Sequence, residues 1–253
     1  MSAVLQISGL SKHFGGLKAI DDLNLVVEDG QLLGIIGANG AGKTTLLNLI
    51  TGYLAPTAGS ILFKGKPIHG LAPYRIARQG IGRTFQIVQP FAEMSVLENI
   101  MAGALFSTSG DHLSLKQARA ACEEPLHLVG LAHQASLPAG LLTLGAKKKL
   151  ELARALATKP TLLLLDEVMG GLTHEEVDDI MAVLRRIQKT GTTIVMIEHL
   201  VHVIVELSDY VFAMNFGREL AQGLPDEVIE NPEVIEAYLG TPIDQPTSPL
   251  YKG

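Results

Sequence analysis

The chain has 253 residues, 47% of them hydrophobic and 18% charged, with a formal net charge of −6. That length can bury a sizeable core in one large or two small domains, and the acidic balance argues against a nucleic-acid surface, which leaves a basic footprint. A single cysteine, Cys122, excludes a disulfide framework and a multi-cysteine zinc site.

In chain order, Met1-Ser2-Ala3-Val4 shows no basic stretch leading into an apolar core, so it does not read as a signal peptide. No apolar run approaches the roughly 18 residues that span a bilayer. The expectation is a cytoplasmic protein with no transmembrane segment of its own. Residues 5–8, 23–27 and 32–36 read as strands, and a glycine-rich turn and a helix over 42–50 follow the third. A further strand near 61–63 is bounded by Gly59 and Gly65. From 86 to 140 the pattern turns helical, with Ser95-Val96-Leu97-Glu98 matching a capping box at a helix start. Three β/α units come next: strand 161–166 with a helix to 189, strand 193–197 with a helix from 200, and a strand near 210–214. Their apolar residues run without alternation, as in strands buried on both faces. Alternating strands and helices predict an α/β fold with a mainly parallel sheet. The tail from Thr241, with three prolines, is expected to be loosely ordered.

Gly37-Ala38-Asn39-Gly40-Ala41-Gly42-Lys43-Thr44 fits the phosphate-loop pattern G-x-x-x-x-G-K-[ST]. It follows the apolar run 32–36 and precedes the helical residues 45–50, which is the context the motif needs. Glycines let successive backbone N–H groups turn inward around phosphate oxygens, and the helix N-terminus adds partial positive charge. Lys43 can reach the terminal phosphates, and Thr44 can offer a hydroxyl to Mg²⁺. Further along, four leucines end in Asp166-Glu167. A buried strand delivers Asp166 to the carboxyl edge of the sheet, where it can hold Mg²⁺, and Glu167 can polarise an attacking water. A strand that simply ends in solvated acids is the plain alternative.

Four further features, in order and spacing, resemble the ABC transporter ATPases. Phe14 stands upstream of the loop, where the family stacks an aromatic on adenine; an aromatic core residue is the other reading. Gln86 ends Gly82-Arg83-Thr84-Phe85-Gln86 and matches the glutamine that touches Mg²⁺ and water and senses the membrane subunit. His199, in Ile197-Glu198-His199, matches the histidine that contacts the γ-phosphate and positions water near Glu167. Leu142-Thr143-Leu144-Gly145-Ala146 occupies the place of the signature L-S-G-G-Q, departing from it at Thr143, Leu144 and Ala146. Lys147, Lys148 and Lys149 follow in a first helical turn, where they oppose the helix dipole. They read either as a solvated charge run or as attraction for a docked triphosphate. Val168 stands where many relatives have proline, and Thr173-His174-Glu175-Glu176 also reads as a helix cap.

The resemblance covers residues 4–240 and is nearest to the ATPases of branched-chain (hydrophobic) amino acid importers. It is carried by Phe14-Gly15-Gly16-Leu17-Lys18-Ala19, Arg83-Thr84-Phe85-Gln86, Glu93-Met94-Ser95-Val96-Leu97-Glu98-Asn99 and the run 231–240. It implies a P-loop ABC ATPase fold with an N-terminal antiparallel β portion and a helical subdomain over 86–140 inserted into a core of 4–85 and 141–240. It also implies ATP and Mg²⁺ as cofactors. Glu167, His199 and Gln86 would be catalytic, and Thr44, Gln86 and Asp166 would face the metal. Phe14, Gly37, Asn39, Gly40, Ala41, Gly42, Lys43, Thr44 and Thr45 would bind nucleotide, with Thr143 and Gly145 presented to the ATP of a second ATPase subunit. Two transmembrane permease subunits and, indirectly, a solute-binding protein complete the expected assembly at the cytoplasmic face of the inner membrane, with the apolar loop 88–94 as a permease contact. Urea or amide importers, lipopolysaccharide-type exporters and non-transport ABC proteins stand as alternatives.

Overall fold

The computed structural model describes residues 2–85, 89–106 and 113–239. Gln86, residue 88 of the proposed permease contact and the tail from 241 lie outside them. Two sheets organise the described chain. The first is antiparallel, in the order β2-β1-β4-β5, and is built from β1 (Ala3–Phe14), β2 (Leu17–Glu28), β4 (Ala58–Phe63) and β5 (Lys66–Pro67). Here β1 and β2 extend well beyond the short runs expected, because polar residues alternate with buried Leu, Ile and Val along both.

The second sheet holds β3 (Leu32–Gly37), β6 (Ile81–Arg83), β7 (Leu162–Asp166), β8 (Thr193–Ile197), β9 (Tyr210–Asn215) and β10 (Arg218–Gly223), in the order β10-β9-β3-β8-β7-β6. All pairings from β9 to β6 are parallel, and only β10 is antiparallel. Every residue of β3, β7 and β8 is buried, which is why these strands read as unbroken apolar runs. β6 and β10 escaped the sequence reading because they are edge strands of mixed polarity.

The helices in chain order are α1 (Lys43–Ile50), α2 (Pro73–Arg78), α3 (Val96–Ala104), α4 (Leu115–Ala121), α5 (Glu123–Leu128), α6 (Leu144–Ala157), α7 (His174–Lys189), α8 (Val201–Leu207), α9 (Pro225–Ile229) and α10 (Pro232–Leu239). Both predicted caps form. Ser95 and Glu98 make a reciprocal capping box at α3, and Thr173 with Glu176 does the same at α7. α3, α4 and α5 lie between β6 and α6 in sequence, and their buried Val96, Ile100, Ala118 and Leu126 join one core with α6 and α7.

Asn99 is fully buried in α3 and holds the preceding loop in place. Its side-chain oxygen accepts the Phe91 N–H at 2.9 Å, and its amide donates to the carbonyls of Phe91 and Ser95, each at 3.0 Å. Asn99→Ala removes the acceptor of the Phe91 N–H, while the Phe91 and Ser95 carbonyls keep the N–H groups of Met94 and Asn99, and is expected to cost about 1–2 kcal/mol. Urea unfolding of the purified variant measures that loss.

Candidate active site

Four adjacent parallel strands end on one edge of the large sheet. β3 runs into the glycine-rich loop, β8 into Glu198 and His199, β7 into Asp166 and Glu167, and β6 into Thr84. Ligands of open α/β sheets bind outside such carboxyl ends.

The loop is shaped for an anion. Gly42 caps α1 in a left-handed conformation, φ 103°, and a Cβ there would lie 2.5 Å from the Ala19 carbonyl oxygen. Only glycine fits. No side chain caps α1 and no acid stands in its first turn, so its leading N–H groups and partial positive charge face outward. The turn after β9 pins the loop from behind, where Gly217 N–H donates to the Ala41 carbonyl at 2.9 Å. Asn39 and Gly40 are exposed, Thr44 is exposed at the helix start, and Thr45 is half-buried beside it. Lys43 is almost wholly buried, and its Nζ donates to the carbonyls of Gly37 at 2.6 Å and Ala38 at 3.1 Å. Burial holds its pKa below the usual lysine range, while the charges of Glu167 and Asp166 act in the opposite sense.

Asp166 is 4% exposed and its Oδ2 meets Arg83 Nη2 at 3.0 Å. The same guanidinium donates to Asn48 at 2.7 Å and Thr51 at 3.0 Å, so it joins β6, β7 and the end of α1. Glu167 adopts a left-handed backbone, φ 51°, uncommon for a residue with a side chain. Its Oε1 lies 2.7 Å from His199 Nε2, and with the proton on that nitrogen His199 donates. Two residues in different β/α units thus meet directly at hydrogen-bond distance.

Phe14 is half-exposed at the tip of the β1–β2 hairpin, paired with Leu17, and Lys12 Nζ sits 5.1 Å from its ring centroid. It is therefore not a core aromatic. Three residues further along β2, Ile20 packs on Gly42, which brings the hairpin to the loop.

Thr143 caps α6, its hydroxyl accepting the Ala146 N–H at 3.3 Å. Gly145 has Glu176 across from it, and a Cβ there would fall 2.7 Å from Oε1. The lysine run divides among different partners. Lys149 is ion-paired with Asp179, and Lys148 is 3% exposed and points its Nζ at the Glu167 carbonyl, 3.4 Å away. A uniformly solvated charge run is thereby overturned, because Lys148 is buried against the Glu167 backbone and Lys149 reaches an acid of α7.

Sequence reasoning passed over Glu198, which is 2% exposed. Its Oε1 accepts the Met169 N–H at 2.9 Å, tying the segment after Glu167 to the strand end that carries His199. Burial pushes its pKa up to about 7; the Met169 and His199 N–H groups and Lys148 oppose that rise, and Glu167 adds to it. A buried acid directly before the histidine was the available signal.

Asp166 and the Thr44 hydroxyl supply oxygen donors of the kind Mg²⁺ takes. Among the described residues no group of three or more His, Cys, Asp or Glu could hold a metal by itself. The donor set fits an ion that arrives with phosphate oxygens and completes its shell with water.

Comparisons with known proteins agree with this geometry. The family model described as ABC transporter matches residues 20–170, and that described as branched-chain amino acid ATP-binding cassette transporter matches 218–244. The high-affinity branched-chain amino acid transport ATP-binding protein BraF of Pseudomonas aeruginosa is 39% identical, covering 94% of this chain and 98% of that protein. The corresponding LivG protein of Escherichia coli (strain K12) is 38% identical, with the same coverage of both chains. A crystal structure of an ATP-binding cassette of an ABC transporter in its ADP conformation superposes with TM-score 0.85 at 31% identity, covering 95% of this chain and 100% of that one.

The Glu198 environment yields a pH prediction. With a pKa near 4.5 when unfolded and about 7 when folded, the native state holds the extra proton between those values. The stabilising contribution is full below pH 4.5 and is lost as pH rises to 7, by at most about 3 kcal/mol. Glu198→Gln removes that decline, so urea unfolding at pH 5 and pH 8 should show a smaller difference than in the native protein.

Proposed function

The chain belongs to the ABC transporter family, and on that premise we propose that it is the ATP-hydrolysing subunit of an importer for branched-chain amino acids. The observation that carries this reading is the convergence of the Lys43 loop, Asp166, Glu167 and His199 on one sheet edge, with Glu167 and His199 2.7 Å apart. The names of the relatives point to the transported class.

In the proposed reaction the bare N–H groups at the start of α1 and the Lys43 ammonium receive the ATP polyphosphate. Lys43 exchanges the carbonyls of Gly37 and Ala38 for phosphate oxygens, which replace neutral acceptors by charged ones around a buried cation. Mg²⁺, when bound with ATP, neutralises charge on the phosphates, with Asp166 and Thr44 as the protein groups that face it. Glu167 orients the attacking water and accepts its proton, and His199 keeps the carboxylate aimed. Gln86 is assigned to the same water and to sensing the permease.

Two ATPase subunits, alike or different, face head to tail, so that Thr143 and Gly145 of one meet the ATP held by the other. Gly145 lets Glu176 of α7 pack against the start of α6, and Leu144, exposed at that end, takes the place of a second glycine. No helix among the described residues is long and apolar enough to cross a membrane. Attachment to the cytoplasmic face of the inner membrane is assigned to the two permease subunits, with segment 89–94 and its exposed Phe91 as the described part of the contact. A solute-binding protein acts on the far side and does not touch this chain. Phe14 is assigned to adenine, its exposed ring being open to stacking.

Two measurements test the reading. Lys43→Ala should abolish ATP binding, while Glu167→Gln should keep binding and lower turnover by roughly a hundredfold or more. In cells, Lys43→Ala should abolish uptake of labelled leucine, isoleucine and valine and leave urea uptake intact. Loss of urea uptake alone would move the solute class and keep the ATPase, and no loss of any uptake would remove the transport assignment.

A further inference from the structure

The last described helix reaches the phosphate loop from the far end of the chain. α10 begins where Asn231 Oδ1 accepts the Glu233 N–H at 2.9 Å, and Val234 anchors it in the main core. Tyr238 follows one turn later on the same face. Its hydroxyl accepts the N–H of Gly37 at 2.5 Å. Gly37 is both the last residue of β3 and the first of the glycine-rich loop. Its carbonyl in turn accepts from Lys43 Nζ at 2.6 Å. The two polar groups of one glycine therefore connect the C-terminal helix to the phosphate-binding lysine.

The place of that glycine is unusually dependent on polar partners. A Cβ at 37 would lie 2.4 Å from the Met214 carbonyl oxygen and 3.0 Å from Ala41 Cβ, so no side chain can anchor it. Pairing of β3 with β8 ends at Ile35 opposite Ile197, two residues before Gly37, while pairing with β9 continues to Gly37 opposite Met214. Tyr238 takes the N–H at the point where the strand leaves the sheet. Burial raises the phenol above its ordinary pKa, with the Gly37 N–H acting against that rise, so the acceptor stays neutral beside a site for a polyanion.

We propose that Tyr238 is a positioning residue for nucleotide binding. Its hydroxyl fixes Gly37, the residue at which β3 becomes the phosphate loop, so that α10 tunes affinity for the polyphosphate of ATP. The proposal rests on the reading of the loop as an ATP site. The gain comes from preorganisation: a loop already held in its binding geometry loses less freedom when the ligand arrives.

The test is titration of the purified full chain with MgATP, comparing native protein, Tyr238→Phe and Ile235→Ala, with thermal unfolding of each measured without nucleotide. Ile235 lies on the same helix and is 38% exposed, so its variant controls for general loosening of α10. Tyr238→Phe keeps the ring and removes one hydrogen bond, and the expected result is about fivefold weaker ATP binding, with KM raised and kcat near native. Ile235→Ala should bind like native protein. Native affinity in Tyr238→Phe, with or without a lower unfolding temperature, overturns the proposal. So does an equal loss in both variants, which would make the effect one of helix docking. If native protein itself binds no ATP, the reading of the loop fails too, and the silent native titration tells that failure apart.

Discussion

The site depends on parallel register. β3, β8, β7 and β6 lie side by side in the same direction, and their ladders keep Ile35 opposite Ile197 and Asp166 opposite Ile197. Burial on both faces excludes charge from the strand interiors, so every polar group these segments carry is displaced to the ends. Because the strands share a direction, the ends that carry Asp166, Glu167, Glu198 and His199 fall on the edge where the glycine-rich loop begins. A register slip of one residue in β7 would turn Asp166 to the opposite face of the sheet and take its carboxylate from Arg83.

Charge balance is the second constraint. Lys43, Arg83 and Lys148 are interleaved with Asp166, Glu167 and Glu198 in a region where several side chains are below a tenth exposed. Each buried charge has a counter-charge or backbone partner, as the cost of isolation requires. Arg83 carries the most connections, since its guanidinium touches α1 and β7 while its backbone belongs to β6. A triphosphate entering this region adds several negative charges beside cations that are already desolvated. Electrostatic attraction there exceeds what the same groups would give in water.

Backbone strain marks the same place. Glu167 holds a left-handed conformation while its N–H is fixed by the Ile197 carbonyl at 3.0 Å, and its carboxylate meets His199. Such a conformation persists only where surrounding bonds over-determine it. The strain turns the chain sharply after a buried strand and presents the side chain at the edge instead of along β7.

The sequence by itself determined the buried strands, the glycine-rich loop, the acid pair, the caps at Ser95 and Thr173 and the family. These are local: apolar runs, turn residues and fixed spacings specify them through backbone geometry and side-chain chemistry a few residues apart. Edge strands β6 and β10 were not legible, since β6 has only three residues and β10 is a largely exposed strand of mixed polarity, and neither carries a clean period. The lysine run was legible as charge but not as partners, because Asp179 and the Glu167 carbonyl come from other elements. Arg83 on Asp166, Glu198 on Met169 and Tyr238 on Gly37 join residues 29 to 201 positions apart. Only the tertiary structure decided those contacts, because a hydrogen bond between distant segments is set by how whole strands and helices pack and not by the residues that precede it.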